Sequence, residues 1–466
     1  MTSPTSRPSI PRRRFLQAAT AAAAFTIVPR RVLGGPKFVA PSESVRVALI
    51  GAGGQGKQDA KWLLRDHADA QVISVCDPYE QWDHGGNNGR LPVKAELEKL
   101  QAGKGTPVAV SDYADYRQML DRESAIDAVI CATPDHWHAT ITLAAMKAGK
   151  HVYCEKPLTH NIWEAREVAR VGKETGVATQ MGNMGHSGEG LRRTCEWIWA
   201  GAIGAVREVH AWGDGGRYVT GHGRPTETPP IPAGFDWDLW VGPRPPRPYH
   251  PSYTPGLWRG WWAFGCGCLG DMGCHNLDPA YCALHLETPL TVEATSPGVD
   301  SEITCYCTMY RYTYGARGDM PPVKVTWYDG GLRPATPDGV TPRELAFAGG
   351  NGILFVGDEG VIACAGWAGA PRLFPLEKRK EYEKLEPTLP RSQGHLRDWL
   401  DACKGGPAAS ANFQYGAGIT EMVLLGNVAL RAGTRIEWDA ANMKATNTPK
   451  ADALLREEYR PGWDIG

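Results

Sequence analysis

Three residues in the sequence have side chains suited to moving a proton to or from an alcohol. Lys156 lies in the step Glu155-Lys156-Pro157 after a short apolar run, and Asp271 precedes His275 by four residues. That spacing places an acid and an imidazole on one face of a helix. A lysine or histidine with a tuned pKa can take a hydroxyl proton while hydride leaves the carbon. A surface lysine and a helix-capping acid beside a packed histidine are the structural alternatives.

A glycine-rich loop follows the first strand-like run of the chain. The apolar run 45–50 leads directly into Gly51, Gly53, Gln55 and Gly56, and a helix-like segment comes next. In a strand–loop–helix unit the first glycine makes a tight turn and the second lets the backbone approach a pyrophosphate. The third lets the helix pack closely on the strand. The order of elements predicts a dinucleotide site.

Asp77 ends the second strand-like run and bears on which dinucleotide is bound. A carboxylate in this position accepts hydrogen bonds from both ribose hydroxyls. A 2'-phosphate would meet its negative charge, and no arginine follows directly to compensate. We therefore predict NAD as the cofactor, with NADP as the alternative.

Strand-like and helix-like segments continue to alternate through the first part of the chain. Predicted strands lie at 45–50, 71–77, 108–110, 125–132, 151–155 and 177–181. Such alternation indicates a doubly wound parallel sheet, whose ligands bind beyond the carboxyl ends of the strands. Thr133, Pro134 and Glu155 follow strands at that edge, so we expect them beside the cofactor.

The motifs found so far occur together in a known protein family. They are the glycine loop, Asp77, the run Ala132-Thr133-Pro134 with His138, the Glu-Lys-Pro step and the Asp271-x-x-x-His275 pair. Together they resemble the glucose-fructose oxidoreductase, inositol dehydrogenase and rhizopine-catabolism (Gfo/Idh/MocA) family, from about Val45 to Ala432. The resemblance implies an α/β Rossmann domain over 44–181. An α+β domain with an open, mainly antiparallel sheet follows over 182–440 and forms homo-oligomers, either dimers or tetramers.

The resemblance also implies a reaction and residue roles. The reaction is hydride transfer between a nicotinamide cofactor and a sugar, cyclitol or related polyol. If the protein is exported, we expect it to hold the cofactor tightly, because free NAD is scarce outside the cytoplasm. Lys156 would be a proton shuttle or a hydrogen-bond donor to the reacting oxygen, and His275 an acid or base. Asp271 would contact substrate, and His138 would lie near the nicotinamide. A packed, purely structural His138 is the alternative.

The segment from 182 to 270 is rich in tryptophan, glycine and proline. His186, Trp258 and Arg259 are candidate substrate contacts, because aromatic faces stack on sugars and charged groups bind hydroxyls. An ordered loop pinned by buried aromatic residues, an oligomer contact and a packed His186 are equally compatible with the pattern.

A second function fits the same residues. A glycosidase or lyase would oxidise a glycoside transiently, eliminate the glycosidic bond and return the hydride. The His-Gly-x-Gly-Pro loop associated with that glycosidase group is matched only in part by Gly221-His222-Gly223-Arg224. A non-catalytic NAD-loaded binding protein is the third possibility, disfavoured by the intact proton-transfer residues.

The N-terminus has the pattern of a targeting segment. Arg12-Arg13 with Phe15-Leu16 precedes an uncharged run from Ala18 to Val28, which resembles a twin-arginine export signal over residues 1–35. We expect a periplasmic or otherwise exported protein; a basic disordered arm is the alternative. No clean cleavage site precedes Gly35, so membrane attachment is expected only if the signal stays uncleaved.

Charge and cysteine content exclude further classes of partner. The 50 basic and 51 acidic residues leave no basic excess for nucleic acid. The group Cys266, Cys268, Cys274 and Cys282 has irregular spacing for a metal, so we predict no metal site and favour buried thiols over a disulfide. The polar tail 441–466 is expected to cover the surface.

Overall fold

The structure is a computed structural model that describes residues 43–82, 86–214 and 221–465. The predicted export segment lies outside the described residues. Within those ranges, no helix combines the length and apolar character needed to cross a membrane.

The first sheet is parallel throughout, as the alternation predicted. Its strands are β1 (Val45–Ile50), β2 (Ala70–Cys76), β3 (Ser111–Tyr113), β4 (Ala128–Cys131), β5 (His151–Cys154) and β6 (Thr179–Met181). They lie in the order β3-β2-β1-β4-β5-β6. The order reverses between β1 and β4, which is where ligands bind in doubly wound sheets.

Five helices connect these strands. They are α1 (Gly54–Asp66), α2 (Arg90–Gly103), α3 (Tyr116–Arg122), α4 (His138–Lys147) and α5 (Ile162–Thr175). The sequence reasoning missed α2, which buries only Val93, Leu97 and Gln101. It also placed the third strand wrongly at 108–110, whereas β3 forms three residues later because only there does the chain pair with β2.

A nine-stranded mixed sheet forms the second layer. Its strands are β7 (Val206–Trp212), β8 (Thr291–Thr295), β9 (Met309–Tyr314), β10 (Val323–Tyr328), β11 (Gly352–Gly357), β12 (Gly360–Ala365), β13 (Arg372–Phe374), β14 (Ile436–Asp439) and β15 (Lys444–Ala445). Neighbouring strands are antiparallel except β7 and β10. This confirms the predicted open, mainly antiparallel sheet.

The remaining helices of the described residues follow β6 along the chain. They are α6 (Glu189–Trp199), α7 (Trp237–Val241), α8 (Gly267–Asn276), α9 (Asp278–Ala283), α10 (Pro342–Leu345), α11 (Leu376–Tyr382), α12 (His395–Cys403), α13 (Phe413–Ala432) and α14 (Pro449–Asp452). Helix α13 is buried along most of its length and contacts both α5 and α8. It therefore links the parallel sheet to the helix that carries Asp271 and His275.

The tryptophan-rich segment is an ordered loop held by its own aromatic core. Trp237, Trp240, Tyr253, Trp261 and Phe264 are buried against one another. This cluster continues to the strand-end segment after β2, since Phe235 stacks on Tyr79 with ring centroids 3.8 Å apart. Most of the tryptophans in the loop are thus packing residues rather than free binding surfaces.

The cysteine group contains no disulfide. Cys266, Cys268 and Cys274 are buried free thiols, and Cys282 is half-buried. Burial raises the pKa of Cys266 and Cys274 above the usual thiol value. The interpretation as buried thiols therefore holds for Cys266, Cys268 and Cys274.

The C-terminal tail does more than cover the surface, which corrects the expectation for residues 441–466. Trp463 and Ile465 are buried, and the Trp463 ring meets the Trp137 ring edge-on at 5.1 Å. Lys147 donates to the Ile465 carbonyl oxygen at 2.8 Å. This contact was hard to predict, because Trp463 and Ile465 alone form no periodic apolar pattern.

We expect Trp463→Ala to lower the free energy of unfolding by about 3 kcal/mol, since it leaves a cavity behind Trp137. Urea denaturation followed by circular dichroism measures the loss. The exposed tail residue Lys444 is the control, and Lys444→Ala should leave the midpoint unchanged. Equal midpoints for the two variants would contradict an anchoring role for the tail.

Candidate active site

A cavity of about 1430 Å³ opens at the carboxyl ends of the parallel strands and extends to the second sheet. Most of the residues proposed from the sequence line it. These are Gly51, Gly53, Gln55, Asp77, Thr133, Pro134, Glu155, Lys156, Trp258, Arg259, Asp271 and His275. Gly56, His138 and His186 are not among its lining residues.

The glycine loop forms one end of this cavity. Gly51 has φ +96°, and a Cβ there would lie 2.5 Å from the Ala132 carbonyl oxygen. A Cβ on Gly56 would lie 2.0 Å from the Gly51 carbonyl oxygen, so Gly56 serves the packing of α1 on the loop. Gly53 is different, because its Cβ would meet nothing closer than Trp82 at 3.9 Å.

Helix α1 begins at this loop without a side-chain cap. Its N-cap is Gly53, and no side chain accepts from its first backbone N–H groups. Uncapped N–H groups and the helix dipole favour an anion at this position. The open space over Gly53 and the helix terminus therefore fit the pyrophosphate of a dinucleotide.

Asp77 lies beside the loop and is held by backbone donors. The Ala52 N–H donates to Asp77 Oδ2 at 2.7 Å, and the Tyr79 N–H donates to Oδ1 at 2.8 Å. Burial raises the pKa of Asp77 to about 6, although these hydrogen bonds and Arg90 oppose the shift. The carboxylate is thus fixed at the cavity wall beside the glycine loop, where it can accept from the ribose hydroxyls of a dinucleotide.

Lys156 and Asp271 form an ion pair between the two parts of the chain. Lys156 Nζ donates to Asp271 Oδ1 at 2.6 Å and to the Asp271 carbonyl oxygen at 3.1 Å. Arg259 Nε lies 3.4 Å from the same Oδ1. Burial would lower the pKa of Lys156, but the Asp271 carboxylate raises it above the usual value. Lys156 is therefore a charged ammonium in the free protein.

His275 lies one turn beyond Asp271 on α8 and also faces the cavity. Burial holds the pKa of His275 well below its usual value, and the Lys156 charge adds to the effect. Its Nδ1 is buried with no hydrogen-bond partner among the described residues. Buried polar atoms without partners are rare. The site thus holds a neutral imidazole and a charged ammonium side by side.

His138 lies behind this pair rather than in the cavity. Its Nδ1 is 2.7 Å from the Pro157 carbonyl oxygen, and its Nε2 is 2.9 Å from the Thr133 carbonyl oxygen. The ring therefore joins the two strand ends that carry Thr133 and Lys156. The Lys156-Pro157 peptide bond is cis.

His186 is buried away from the cavity lining. Its Nδ1 lies 3.1 Å from the Asp278 carboxylate, which also accepts from Asn183 Nδ2 and from the Tyr415 hydroxyl. Burial opposes protonation, but the Asp278 charge outweighs it and raises the pKa of His186. The structure places His186 as a packed residue, the alternative that the sequence left open.

Several cavity residues were missed by the sequence reasoning. They are Trp62, Trp82, Asn88, Met184, Asp214, Asn351 and Trp367, among others. They come from separate segments of the chain, Trp62 from helix α1 and the others from connecting segments, and no motif joins them. The glycine-flanked run Ala365-Gly-Trp-Ala-Gly369 was the one local signal that could have pointed to Trp367.

Two protein-family models match the chain in succession. Residues 45–183 match a model described as oxidoreductase family, NAD-binding Rossmann fold. Residues 216–319 match a model described as oxidoreductase family, C-terminal alpha/beta domain.

Curated relatives match over about a third of the chain. Glycosyl hydrolase family 109 protein 1 of Akkermansia muciniphila is 31% identical over 144 residues, 31% of this chain and 27% of that protein. The scyllo-inositol 2-dehydrogenase (NAD(+)) of Bacillus subtilis is 30% identical over 140 residues, 30% of this chain and 36% of that protein. The matched segment thus spans about a third of these relatives.

Solved structures share the fold over most of the chain. The WlbA dehydrogenase from Bordetella pertussis, in complex with NADH and UDP-GlcNAcA, has a TM-score of 0.56 at 16% identity, covering 85% of this chain and 99% of that one. The aldose-aldose oxidoreductase from Caulobacter crescentus has a TM-score of 0.53 at 15% identity, covering 85% and 100%.

Proposed function

Because the chain belongs to the Gfo/Idh/MocA oxidoreductase family and carries its NAD-binding Rossmann fold, we propose that it transfers a hydride between NAD and the CH–OH group of a sugar, cyclitol or related polyol. The observation that carries this proposal is the pairing of neutral His275 with charged Lys156 in one cavity with the dinucleotide loop. An alcohol oxidation needs both a proton acceptor and a stabiliser of the oxygen.

The two residues divide that work. The nicotinamide, when bound, accepts the hydride from the substrate carbon. Lys156 donates a hydrogen bond to the reacting oxygen and stabilises the negative charge that builds on it. His275 takes the hydroxyl proton, since its imidazole is neutral and it lines the cavity together with Lys156. Asp271 holds the ammonium in place, and His138 fixes the strand ends on either side.

The direct test follows the near-ultraviolet absorbance of reduced nicotinamide in purified protein. Monosaccharides, cyclitols and glycosides are added singly, first without and then with free NAD, and their products are identified. A stoichiometric rise that then stops indicates a retained cofactor and net oxidation of the added compound. No reduction and no product with any compound would contradict the proposed function.

A glycosidase or lyase with transient oxidation is the second candidate. The names of two 31% identical relatives, both glycosyl hydrolase family 109 proteins, favour it. Lys156 and His275 would serve the same oxidation and its reversal. Sustained cleavage of a glycoside with no accumulation of reduced cofactor, in the same absorbance experiment, would establish this candidate over the first.

We expect NAD affinity to fall below pH 6. Asp77 has a pKa of about 6 before the cofactor binds, and ribose hydroxyls donate to its ionised form. Each pH unit below that value then costs up to about tenfold in affinity, because a proton must leave for NAD to bind. Calorimetric titration of NAD into the cofactor-stripped protein, at values from about pH 5 to about pH 8, measures how the affinity depends on pH.

The control for this dependence is Asp77→Asn. The variant should bind NAD more weakly at neutral pH and show a flat profile below it. A profile that keeps the same fall in the variant would assign the titration to another group, and wild-type affinity at neutral pH would remove Asp77 from the cofactor site.

Two properties of the whole protein are part of the proposal. Arg12-Arg13 and the apolar run behind it support export to the periplasm by the twin-arginine route. A protein found only in the cytoplasmic fraction would contradict this.

Alternate residues along β9 are buried and half-exposed, so the half-exposed face of the nine-stranded sheet is available to contact another subunit of a homo-oligomer. Light scattering that finds a monomer would contradict that.

A further inference from the structure

Trp367 is a large apolar side chain that remains exposed inside the candidate site. It lies between β12 and β13, is 46% exposed, and lines the cavity. Its ring centroid is 5.7 Å from that of His275. Large exposed aromatic residues within a cavity commonly mark the place where a ligand packs.

The backbone at this position is one that a tryptophan rarely adopts. Trp367 has φ +56° and Ala368 has φ +54°, both in the left-handed region. Glycine would carry no strain at either position. Strain of this kind persists only where the surroundings enforce it, and it concentrates at functional sites. The choice of tryptophan here therefore needs a reason other than the turn itself.

Three other elements hold the strained turn against the site. The Trp367 N–H donates to Asn276 Oδ1 at 3.2 Å, and Asn276 follows His275 on α8. The carbonyl oxygens of Trp367 and Ala368 lie against Gly185 and Gly190, where a Cβ would come within 2.3 Å and 2.0 Å. The backbone that carries the indole is thus fixed relative to the proton-transfer residue.

Asn276 also connects this turn to a polar group of the cavity. Its Nδ2 donates to Asn351 Oδ1 at 3.2 Å and to the Trp212 carbonyl oxygen at 2.8 Å. Asn351 lines the cavity together with Arg259 and Asp271. An apolar plane with hydrogen-bonding groups around it matches a ring that has one C–H face and hydroxyls at its edge.

We propose that Trp367 is a stacking platform that restricts the substrate to cyclic molecules, either pyranose sugars or cyclitols, over open-chain polyols. A ring lying on the indole would direct an edge hydroxyl to His275 and Lys156. An open chain has no continuous C–H face to cover the indole and gains little from it. This inference rests on the proposed function and names the substrate class of that site.

The test compares Trp367→Gly with Trp367→Phe in the NAD-loaded full chain. The probes are methyl β-D-glucopyranoside, N-acetyl-D-glucosamine and myo-inositol as rings, and D-sorbitol as the open chain. Trp367→Gly should raise KM for the ring probes about tenfold and leave kcat nearly unchanged, and Trp367→Phe should recover most of the loss. KM and kcat for D-sorbitol should stay at the wild-type values in both variants.

Trp199 provides the matched control. It is 39% exposed, stacks on His285, and does not line the cavity. Trp199→Ala should leave KM for every probe unchanged. Trp367→Gly should melt within about 3 °C of the wild type, because glycine relieves the strain while half of the indole contact is lost.

Three results would overturn the inference. The first is an equal rise in KM for ring and open-chain probes in Trp367→Gly, and the second is no rise in KM for any probe. The third is a changed oligomer mass in Trp367→Gly with unchanged KM, which would assign the indole to a subunit contact. A wild type that neither binds nor oxidises any probe would instead overturn the proposed function, and the inference with it.

Discussion

Lys156→Met is expected to reduce turnover by about a thousandfold while NAD still binds. Methionine keeps an unbranched side chain as far as Cε but removes the ammonium, which contacts Asp271 and lines the cavity. Asp271 keeps Arg259 as a charged neighbour, so the fold should survive. Single-turnover reduction of bound NAD by a sugar that the wild type oxidises measures the loss, and calorimetry measures NAD affinity.

Lys156→Arg separates the two roles that remain open for this residue. Arginine keeps the positive charge but does not release a proton at accessible pH. If Lys156 acts as a charged hydrogen-bond donor, as its raised pKa indicates, Lys156→Arg should be at least about tenfold faster than Lys156→Met. Equally slow variants would identify Lys156 as the proton carrier instead.

The matched control is Lys173→Met, on the exposed side of α5. It removes the same side chain from the same part of the chain and should leave turnover unchanged. Full activity of Lys156→Met would remove Lys156 from the reaction and leave His275 as the candidate that acts alone.

Gly53→Val is expected to weaken NAD binding by at least about a hundredfold without changing the stability of the cofactor-free protein. Gly53 has φ −81° and ψ −168°, which valine adopts readily, and its Cβ would have ordinary space around it. In the free protein, neither the backbone dihedrals nor the space around the Cβ therefore requires glycine at this position. The valine side chain would instead occupy the space next to the N-terminus of α1 that fits a pyrophosphate.

Gly56→Val is the contrasting variant. Its Cβ would lie 2.0 Å from the Gly51 carbonyl oxygen, so the loop and α1 must separate. We expect this variant to lose stability whether or not NAD is present, by about 3 kcal/mol or more. Thermal melts of both variants with and without NAD distinguish the two. If Gly53→Val kept wild-type NAD affinity, the pyrophosphate would have to lie elsewhere.

The sequence by itself determined the parallel sheet and the dinucleotide end of the site. Those features are local: apolar runs alternate with helical segments, and Gly51, Gly53 and Asp77 follow strands directly. In a doubly wound sheet the carboxyl ends of strands meet at one edge, so residues after different strands could be placed together without coordinates. The pairing of Asp271 with His275 was equally local, since four residues span one helical turn.

The tertiary structure decided the rest, because it depends on contacts between distant parts of the chain. Lys156 is charged because of Asp271, which lies 115 residues beyond it, and His275 is neutral because it is buried beside the Lys156 charge. The sequence around His186 and His138 does not show that these residues are packed, because a histidine that lines the cavity could have the same neighbours in the chain. Trp367 reaches the site only because the second sheet folds its β12–β13 turn against α8, and no periodicity in the sequence encodes that contact.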